Sequence, residues 1–449
     1  MDGKGKVVVI GSGAAGRAAA RALAADGWQV AVVERDRVGG TCLWRGCIPK
    51  KALYVAARAA REARRAAQFG VLCRDVGIDW QQALAWKWHA QETFAGDQKA
   101  LLEARGIVVV QKDARFVSAD EVEIGSERVR PDHVVLAVGS VPVMPAVPGI
   151  DLAEDSDAAL HFLELPRTLV IVGGGFIAAE LAGIFGSLGT QVTVVERGRR
   201  ILAMLDEELG DIAHRRLEDL GVEILTGSTL EAILGRQGAL GVQISGDAGA
   251  RAIECEHVVV AAGRRPSVDG LGLEAADVAL DDRGHLIVDP YLRTTNPKVW
   301  ACGDVTGGMM QTPVANMEGA TVARSIDSGT PVAPDCRAVP VTCFTTPQLA
   351  TVGLTLDQAA GRGIPAHVTR ICADSIGAAV VDDERDFLAK LVIADEDGRV
   401  LGAQVAGPTA SDVIYAAAVA VDAHLTADRL QRVIGVHPSY AESLYYAAW

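Results

Sequence analysis

The sequence has no apolar run approaching the ~18 uninterrupted residues that a membrane span requires. Each long apolar stretch is broken by glycine, a charge or a turn within the length of a strand or a short helix, which excludes a membrane protein of the helical kind. It has no low-complexity segment and no surplus of positive charge. Lysine and arginine total 43 against 57 aspartate and glutamate, a net charge of -14. The arginines are scattered or form short clusters such as Arg58, Arg61, Arg64 and Arg65, so a nucleic-acid backbone would be repelled rather than held. It also lacks cysteines at metal-site spacing. Of the eight present, Cys73, Cys255, Cys302, Cys336, Cys343 and Cys372 have no close partner, and no metal centre is expected. Residues Met1 to Lys6 pass into an apolar strand with no charged-then-apolar leader, which sets a cytoplasmic expectation. What is there is ample core material, 49% hydrophobic against 22% charged, over 449 residues, enough for about three domains.

Two segments share one order of elements. Lys6 to Ile10 is a continuous apolar run, Gly11 to Gly16 a glycine turn, Arg17 to Asp26 an alanine-rich helix, and Gln29 to Val33 a second buried strand ending at Glu34. In Gly11-Ser12-Gly13-Ala14-Ala15-Gly16 the first glycine makes the turn, the second admits a pyrophosphate to the backbone, and the third permits close helix packing. Glu34 stands where a carboxylate can accept hydrogen bonds from a ribose. A glycine motif alone is weak evidence of a nucleotide site. Here strand, helix and acid fall in register around it.

The order recurs at Thr168 to Val172, Gly173-Gly174-Gly175-Phe176-Ile177-Ala178, a helix to Gly189, and Gln191 to Val195 ending at Glu196. Two such units imply two different dinucleotides. Glu196 at the ribose position favours an unphosphorylated ribose and therefore NAD. Arg197, Arg199 and Arg200 follow it directly and leave NADP open, because a guanidinium can hold a 2′-phosphate.

Gly39-Gly40-Thr41-Cys42-Leu43-Trp44-Arg45-Gly46-Cys47-Ile48-Pro49-Lys50-Lys51 is the most informative stretch. Four residues separate the cysteines, which can pair only if the segment coils, and Gly46 and Pro49 favour that. A dithiol near a helix start and two lysines has its thiolate stabilised, as thiol–disulfide exchange requires. In a reducing compartment such a pair reads as catalytic rather than as a staple.

With these residues in view the chain resembles, over essentially its full length, the pyridine nucleotide-disulfide oxidoreductases, the flavoprotein family of lipoamide dehydrogenase, glutathione reductase and mercuric reductase. The resemblance rests on the first glycine motif, Gly39 to Lys51, Ala137-Val138-Gly139-Ser140, the second motif with Glu180, Ala262-Gly263-Arg264-Arg265-Pro266, Ala301-Cys302-Gly303-Asp304, and His437-Pro438-Ser439-Tyr440-Ala441-Glu442. It implies an α/β fold with two Rossmann-like dinucleotide-binding domains, an FAD domain (1–150 and 265–335) interrupted by an NAD(P) domain (151–264), and a C-terminal α+β dimerisation domain (336–449).

The resemblance further implies that FAD lies on Gly11, Ser12, Gly13, Ala15, Gly16, Glu34, Gly40, Thr41, Ala114, Gly139, Ser140 and Asp304. Lys51, with Lys50 as the alternative, would stand near the flavin N5, paired with Glu180. The nicotinamide nucleotide would use Gly173, Gly175, Phe176, Ile177, Glu196, Arg197 and Gly263, with Phe176 as a lid. Cys47 would be the flavin-side thiol and Cys42 the thiol that exchanges with substrate. His437, from the other subunit of a homodimer and oriented by Glu442, would be the acid-base group.

Departures from the family pattern bear on substrate. Trp44 and Arg45 stand where Asn and an aliphatic residue are usual, so they either tune the thiolate or touch substrate, or merely pack a short helix. Ser439 and Tyr440 replace Thr and a smaller residue beside His437, which alters the expected pocket. No tyrosine lies near Gln98, against glutathione, and the chain carries no C-terminal cysteine pair, against mercury. The expected activity is dihydrolipoamide dehydrogenase-like, with another small disulfide of the glutathione type as the rival. A flavin-dependent NAD(P)H oxidase or a quinone or metal-ion reductase is the second enzyme class. Membership of a multienzyme complex is open, and no dedicated docking segment stands out.

Overall fold

A computed structural model describes residues 4–247 and 249–449, which fall into two compact units. One comprises residues 4–52, 81–143 and 263–335, the other 53–80, 144–262 and 336–449.

In the first unit, β1 (Lys6–Ile10), α1 (Ala14–Ala25) and β2 (Gln29–Val33) form the expected strand, helix and strand, with the helix starting three residues earlier than the sequence suggested. A five-stranded parallel sheet runs in the order Val299–Ala301, His133–Leu136, β1, β2, Val108–Val110. Alternation in β1 divides the core. Val7 and Val9 join Ala15, Ala19 and Leu23 on one face, and Val8 and Ile10 join Phe116 and Val122 on the other. α2 (Gly40–Trp44) and α3 (Cys47–Arg65) follow, so the cysteine segment begins just past the end of β2. Ligands gather at that carboxyl edge in open parallel sheets. α4 (Trp80–Ala95) supplies Gln91, whose Nε2 donates to the carbonyls of Leu43 (3.0 Å) and Trp44 (3.3 Å) and ties down the end of α2.

The second unit repeats the parallel pattern in the order Glu223–Leu225, Gln191–Val195, Thr168–Val172, His257–Val260, Glu154–Asp155. Its helix Phe176–Leu188 ends at Gly189 with φ 105°, a left-handed cap that glycine adopts without strain. Beyond residue 340 an antiparallel sheet of five strands, Val341–Cys343, Gln348–Gly353, Val400–Gly407, Leu388–Ala394 and Ala366–Cys372, packs against helices Ala410–Asp422 and Glu442–Ala447. The expected sequence of strands and then helices is interleaved instead, with short helices Leu356–Gly361 and Gly377–Val381 between strands.

Lys390 is a buried charge in this unit. Its Nζ donates to Asp206 Oδ1 (2.7 Å) and Glu208 Oε2 (3.3 Å), and Asp206 itself caps the helix Glu207–Asp219. Lys390→Met leaves the mostly buried Asp206 carboxylate without its cation, so we expect a loss of about 2–3 kcal/mol, read as a lowered thermal midpoint.

Candidate active site

The first glycine turn is shaped by its neighbours. A Cβ on Gly16 would stand 2.0 Å from the Gly11 carbonyl oxygen, so only glycine lets α1 start this close to β1. Around the site of a Cβ on Gly13 there is open space to 4 Å, and no side chain caps the first N–H groups of α1. Unpaired N–H groups at an open helix start form a cradle for a pyrophosphate. Glu34 is oriented toward this turn. Its Oε2 accepts from Ser12 N (2.9 Å) and Ser12 Oγ (2.6 Å), and its Oε1 from Asp36 N (3.0 Å). Gly39 N donates to Ser12 Oγ (3.0 Å), and Gly40 lies directly against Gly13, so the cysteine segment is held at the mouth of the cradle.

Further along, Ser140 Oγ donates to Asp304 Oδ2 (2.6 Å), and Arg264 donates to both Ser140 Oγ (2.9 Å) and Ser140 O (3.0 Å). Buried Glu318 accepts from Gly303 N (2.7 Å) and fixes the turn before Asp304, and burial raises its pKa. Gly139 and Gly263 both have positive φ, 70° and 121°, and Ala114 opens its strand. Lys50 and Lys51 lie in the first turns of α3.

Cys42 is half-buried in α2 and Cys47 is exposed at the start of α3. Hydrogen bonding to Cys47, then burial, push the Cys42 thiol far up, and Thr312 and the Arg17 guanidinium pull it down. Cys47 Sγ lies 3.5 Å from Thr312 Oγ1. Thr312 and Arg17 are site residues that the motif reading missed. Arg17 is the residue after the last glycine, and Thr312 opens the helix Thr312–Ser328; neither belongs to the motif that brought the cysteines to notice.

Trp44 and Arg45 both contact the loop after β2. The indole donates to Val38 O (3.0 Å), Arg37 stacks 3.4 Å over the ring centroid, and Arg45 pairs with Asp36 at 2.9 Å. These contacts anchor the segment to the loop after β2.

The second turn repeats the first. Gly173 takes φ 119° and its N–H donates to Val195 O (2.8 Å), while Gly175 caps the helix that begins with Phe176 and Ile177, both half-exposed. Glu196 Oε1 accepts from Gly198 N at 2.5 Å, with its side chain packed at Gly174. Arg197 is exposed, while Arg200 donates to Ala203 O and Leu205 O, both at 3.4 Å. Glu180, buried in the helix, accepts from Phe344 N at 2.7 Å.

At the far end of the chain, His437 Nδ1 lies 2.9 Å from Glu442 Oε2, with Glu442 buried and the imidazole exposed. Tyr440 turns inward, stacks on Phe387 at 5.2 Å between centroids and donates to Asp382 Oδ2 (2.8 Å). A cleft of about 570 Å³ opens beside this loop, lined by Val381, Asp382, Thr409, Pro438, Ser439 and Tyr440 among others.

An adjacent dithiol at one nucleotide cradle, a second cradle with its own acid, and an exposed imidazole backed by a buried carboxylate define a nucleotide-dependent thiol–disulfide oxidoreductase. Residues 5–319 match the family model of pyridine nucleotide-disulphide oxidoreductases and residues 339–448 match that family's dimerisation domain. The chain is 32% identical to a dihydrolipoyl dehydrogenase of Geobacillus stearothermophilus over 99% of its own length and 95% of the relative's. It is 35% identical to a glutathione reductase of Burkholderia cepacia over 97% and 96%. Among solved structures, the Cu(II) complex of the HOCl-induced flavoprotein disulfide reductase RclA from Escherichia coli superposes with a TM-score of 0.87 at 29% identity, over 98% of each chain. The chain therefore belongs to the pyridine nucleotide-disulphide oxidoreductase family. It is a flavoprotein enzyme that uses FAD and NAD(P)H in oxidation and reduction at sulfur. Among the described residues no helix is long and apolar enough to cross a membrane, and no cluster of three or more metal-ligating side chains occurs.

Proposed function

We propose that this enzyme is a cytoplasmic, homodimeric dehydrogenase of the dihydrolipoyl type, exchanging electrons between NAD and a lipoamide-class dithiol through Cys42 and Cys47. The observation that carries the reading is the contact between those two thiols at the mouth of the first cradle. Segments 1–150 and 265–335 would hold FAD, on Gly11 to Gly16, Glu34, Gly40, Thr41, Ala114, Gly139, Ser140 and Asp304, with Lys51 and Glu180 beside the ring. Bound FAD would supply the two-electron relay between nicotinamide and the sulfur couple. Segment 151–264 would hold the nicotinamide nucleotide on Gly173, Gly175, Phe176, Ile177, Glu196, Arg197 and Gly263. Segment 336–449 would form the subunit interface and present His437 to a second copy of the chain.

In this scheme Cys42 attacks or releases substrate sulfur, Cys47 closes the internal disulfide, and His437 takes and returns the proton at the substrate sulfur. Glu442, on Nδ1, orients the ring so that Nε2 faces the reacting atoms. Glu196 supports NAD, because its carboxylate would sit against a 2′-phosphate.

Steady-state assays with NADH and NADPH against lipoamide, glutathione disulfide, coenzyme A disulfide and Cu(II) test the proposal. We expect lipoamide to be turned over best, with kcat/KM for NADH exceeding that for NADPH on the order of tenfold or more. Cu(II) belongs in the panel because the solved relative named above is a Cu(II) complex. Fast reduction of Cu(II) that survives Cys42→Ala, with no disulfide turnover, would sink the reading.

A further inference from the structure

Arg17 lies early in α1, and its side chain folds back toward the helix start, the direction helical side chains take. Nη1 donates to Ser12 O (2.8 Å) and Gly39 O (2.5 Å), while Nε is buried without an acceptor. Both acceptors are neutral carbonyls. The chain carries a net charge of -14, yet among the described residues no carboxylate is paired with this half-buried guanidinium. Arg21, one turn along the same helix, is a like charge that opposes it. Such an arrangement is unfavourable unless a negative charge arrives from elsewhere.

Gly39, which Arg17 grips, directly precedes α2, and Cys42 lies in that helix's first turn. The Cys47 hydrogen bond and burial push the Cys42 thiol far up, and the positive charge of Arg17 pulls against that shift. The groups that act on the Cys42 sulfur are Cys47 of α3, Thr312 at the start of its helix, and Arg17 of α1; of these only Arg17 carries a permanent charge.

We propose that Arg17 is the resident counter-ion of the exchange thiolate, holding Cys42 in its nucleophilic form in the reduced enzyme. This rests on the assignment of Cys42 as the exchange thiol. Two electrons from NAD(P)H convert the Cys42–Cys47 bond to two thiolates. The Cys42 thiolate attacks a substrate disulfide, forms a mixed disulfide and expels one substrate thiolate. Cys47 then attacks the Cys42 sulfur, restores the internal bond and expels the second, and two protons complete the two thiol products. Arg17 stabilises the first attacking charge at every turn of this cycle, and its own charge persists across the working pH range. It acts as a positioning residue, not as a proton carrier.

The test uses the full-length holoenzyme, reduced anaerobically with dithiothreitol, freed of reductant and alkylated with iodoacetamide from pH 5 to 9. Mass spectrometry locates the label, and absorbance records the FAD content. In the wild type we expect the label on Cys42. In Arg17→Gln the Cys42 rate at pH 7 should fall about tenfold, its pH profile moving up by about one unit, with FAD retained. Arg17→Lys should restore most of the rate, because a charge rather than a forked hydrogen bond is required.

A Gln profile that superimposes on the wild type overturns the inference. So does a Lys variant as slow as the Gln variant, which would make Arg17 a clamp on Gly39. Loss of FAD from the Gln variant would make Arg17 a ligand of the cofactor phosphates and overturns it too. A label on Cys47 instead of Cys42 in the wild type is a different failure, since it overturns the exchange assignment and takes the inference with it.

Discussion

Cys47→Ser lowers disulfide turnover by on the order of a thousandfold or more, while the protein stays folded and yellow. The reason is chemical. A serine hydroxyl can neither form the internal disulfide nor expel product from a mixed disulfide, so electrons reaching the protein stop there. Cys47 is exposed and meets the Cys42 thiol and the Thr312 hydroxyl, both of which a serine hydroxyl can also meet, so the change to oxygen disturbs little packing. The measurement is anaerobic titration with NADH. The wild type should gain a long-wavelength band at two-electron reduction, from a thiolate lying against the oxidised ring, and the variant should not. A variant that retains both the band and turnover would remove these cysteines from the electron path.

His437→Gln has the second largest expected effect, a fall in kcat of about 10² to 10⁴ with a smaller change in KM, since general acid–base catalysis contributes on that scale. The imidazole is exposed and Glu442 is buried, so the pair is built like an orienting carboxylate behind a working ring. Glu442→Gln should cost less than loss of the ring. It keeps the volume and a hydrogen bond to Nδ1, but removes the charge that favours one ring orientation. Because the imidazole is proposed to serve a second copy of the chain, mixing His437→Gln subunits with Cys42→Ser subunits gives a sharper readout. In mixed dimers one of the two sites keeps both intact residues, so activity should reappear in a mixture of two inactive variants. A mixture that stays inactive after verified subunit exchange would place the histidine's partner within its own chain.

Both expected effects concern residues that stand out in the linear chain, and the reason lies in local physics. Gly16 must be glycine because the Gly11 carbonyl stands against the place of a Cβ, and Glu34 and Glu196 directly follow strands whose apolar runs mark them. His437 and Glu442 come together within one short loop and the first turn of the following helix, so their spacing alone declares the pair. The same holds for the cysteines, joined by the end of α2 and the start of α3.

What depends on the return of distant segments was hidden. Thr312 reaches Cys47 because a helix from late in the chain enters the first unit, and Arg17 meets Gly39 because β2 carries the chain back alongside β1. Trp44 and Arg45 show the same limit from the other side. Their residue types suit contact with a thiolate or a substrate as well as packing, and only the folded chain shows that they meet Asp36, Arg37 and Val38 of the loop after β2. Tyr440, unusual beside the histidine, is turned inward by Phe387 and Asp382. The sequence by itself determined the two nucleotide turns, the sulfur pair and the acid–base pair, because each is set by steric and hydrogen-bonding demands among near neighbours. Only the tertiary structure decided the electrostatics of the exchange sulfur and the direction of the side chains around it, because charge and packing act through space between segments that are far apart along the backbone.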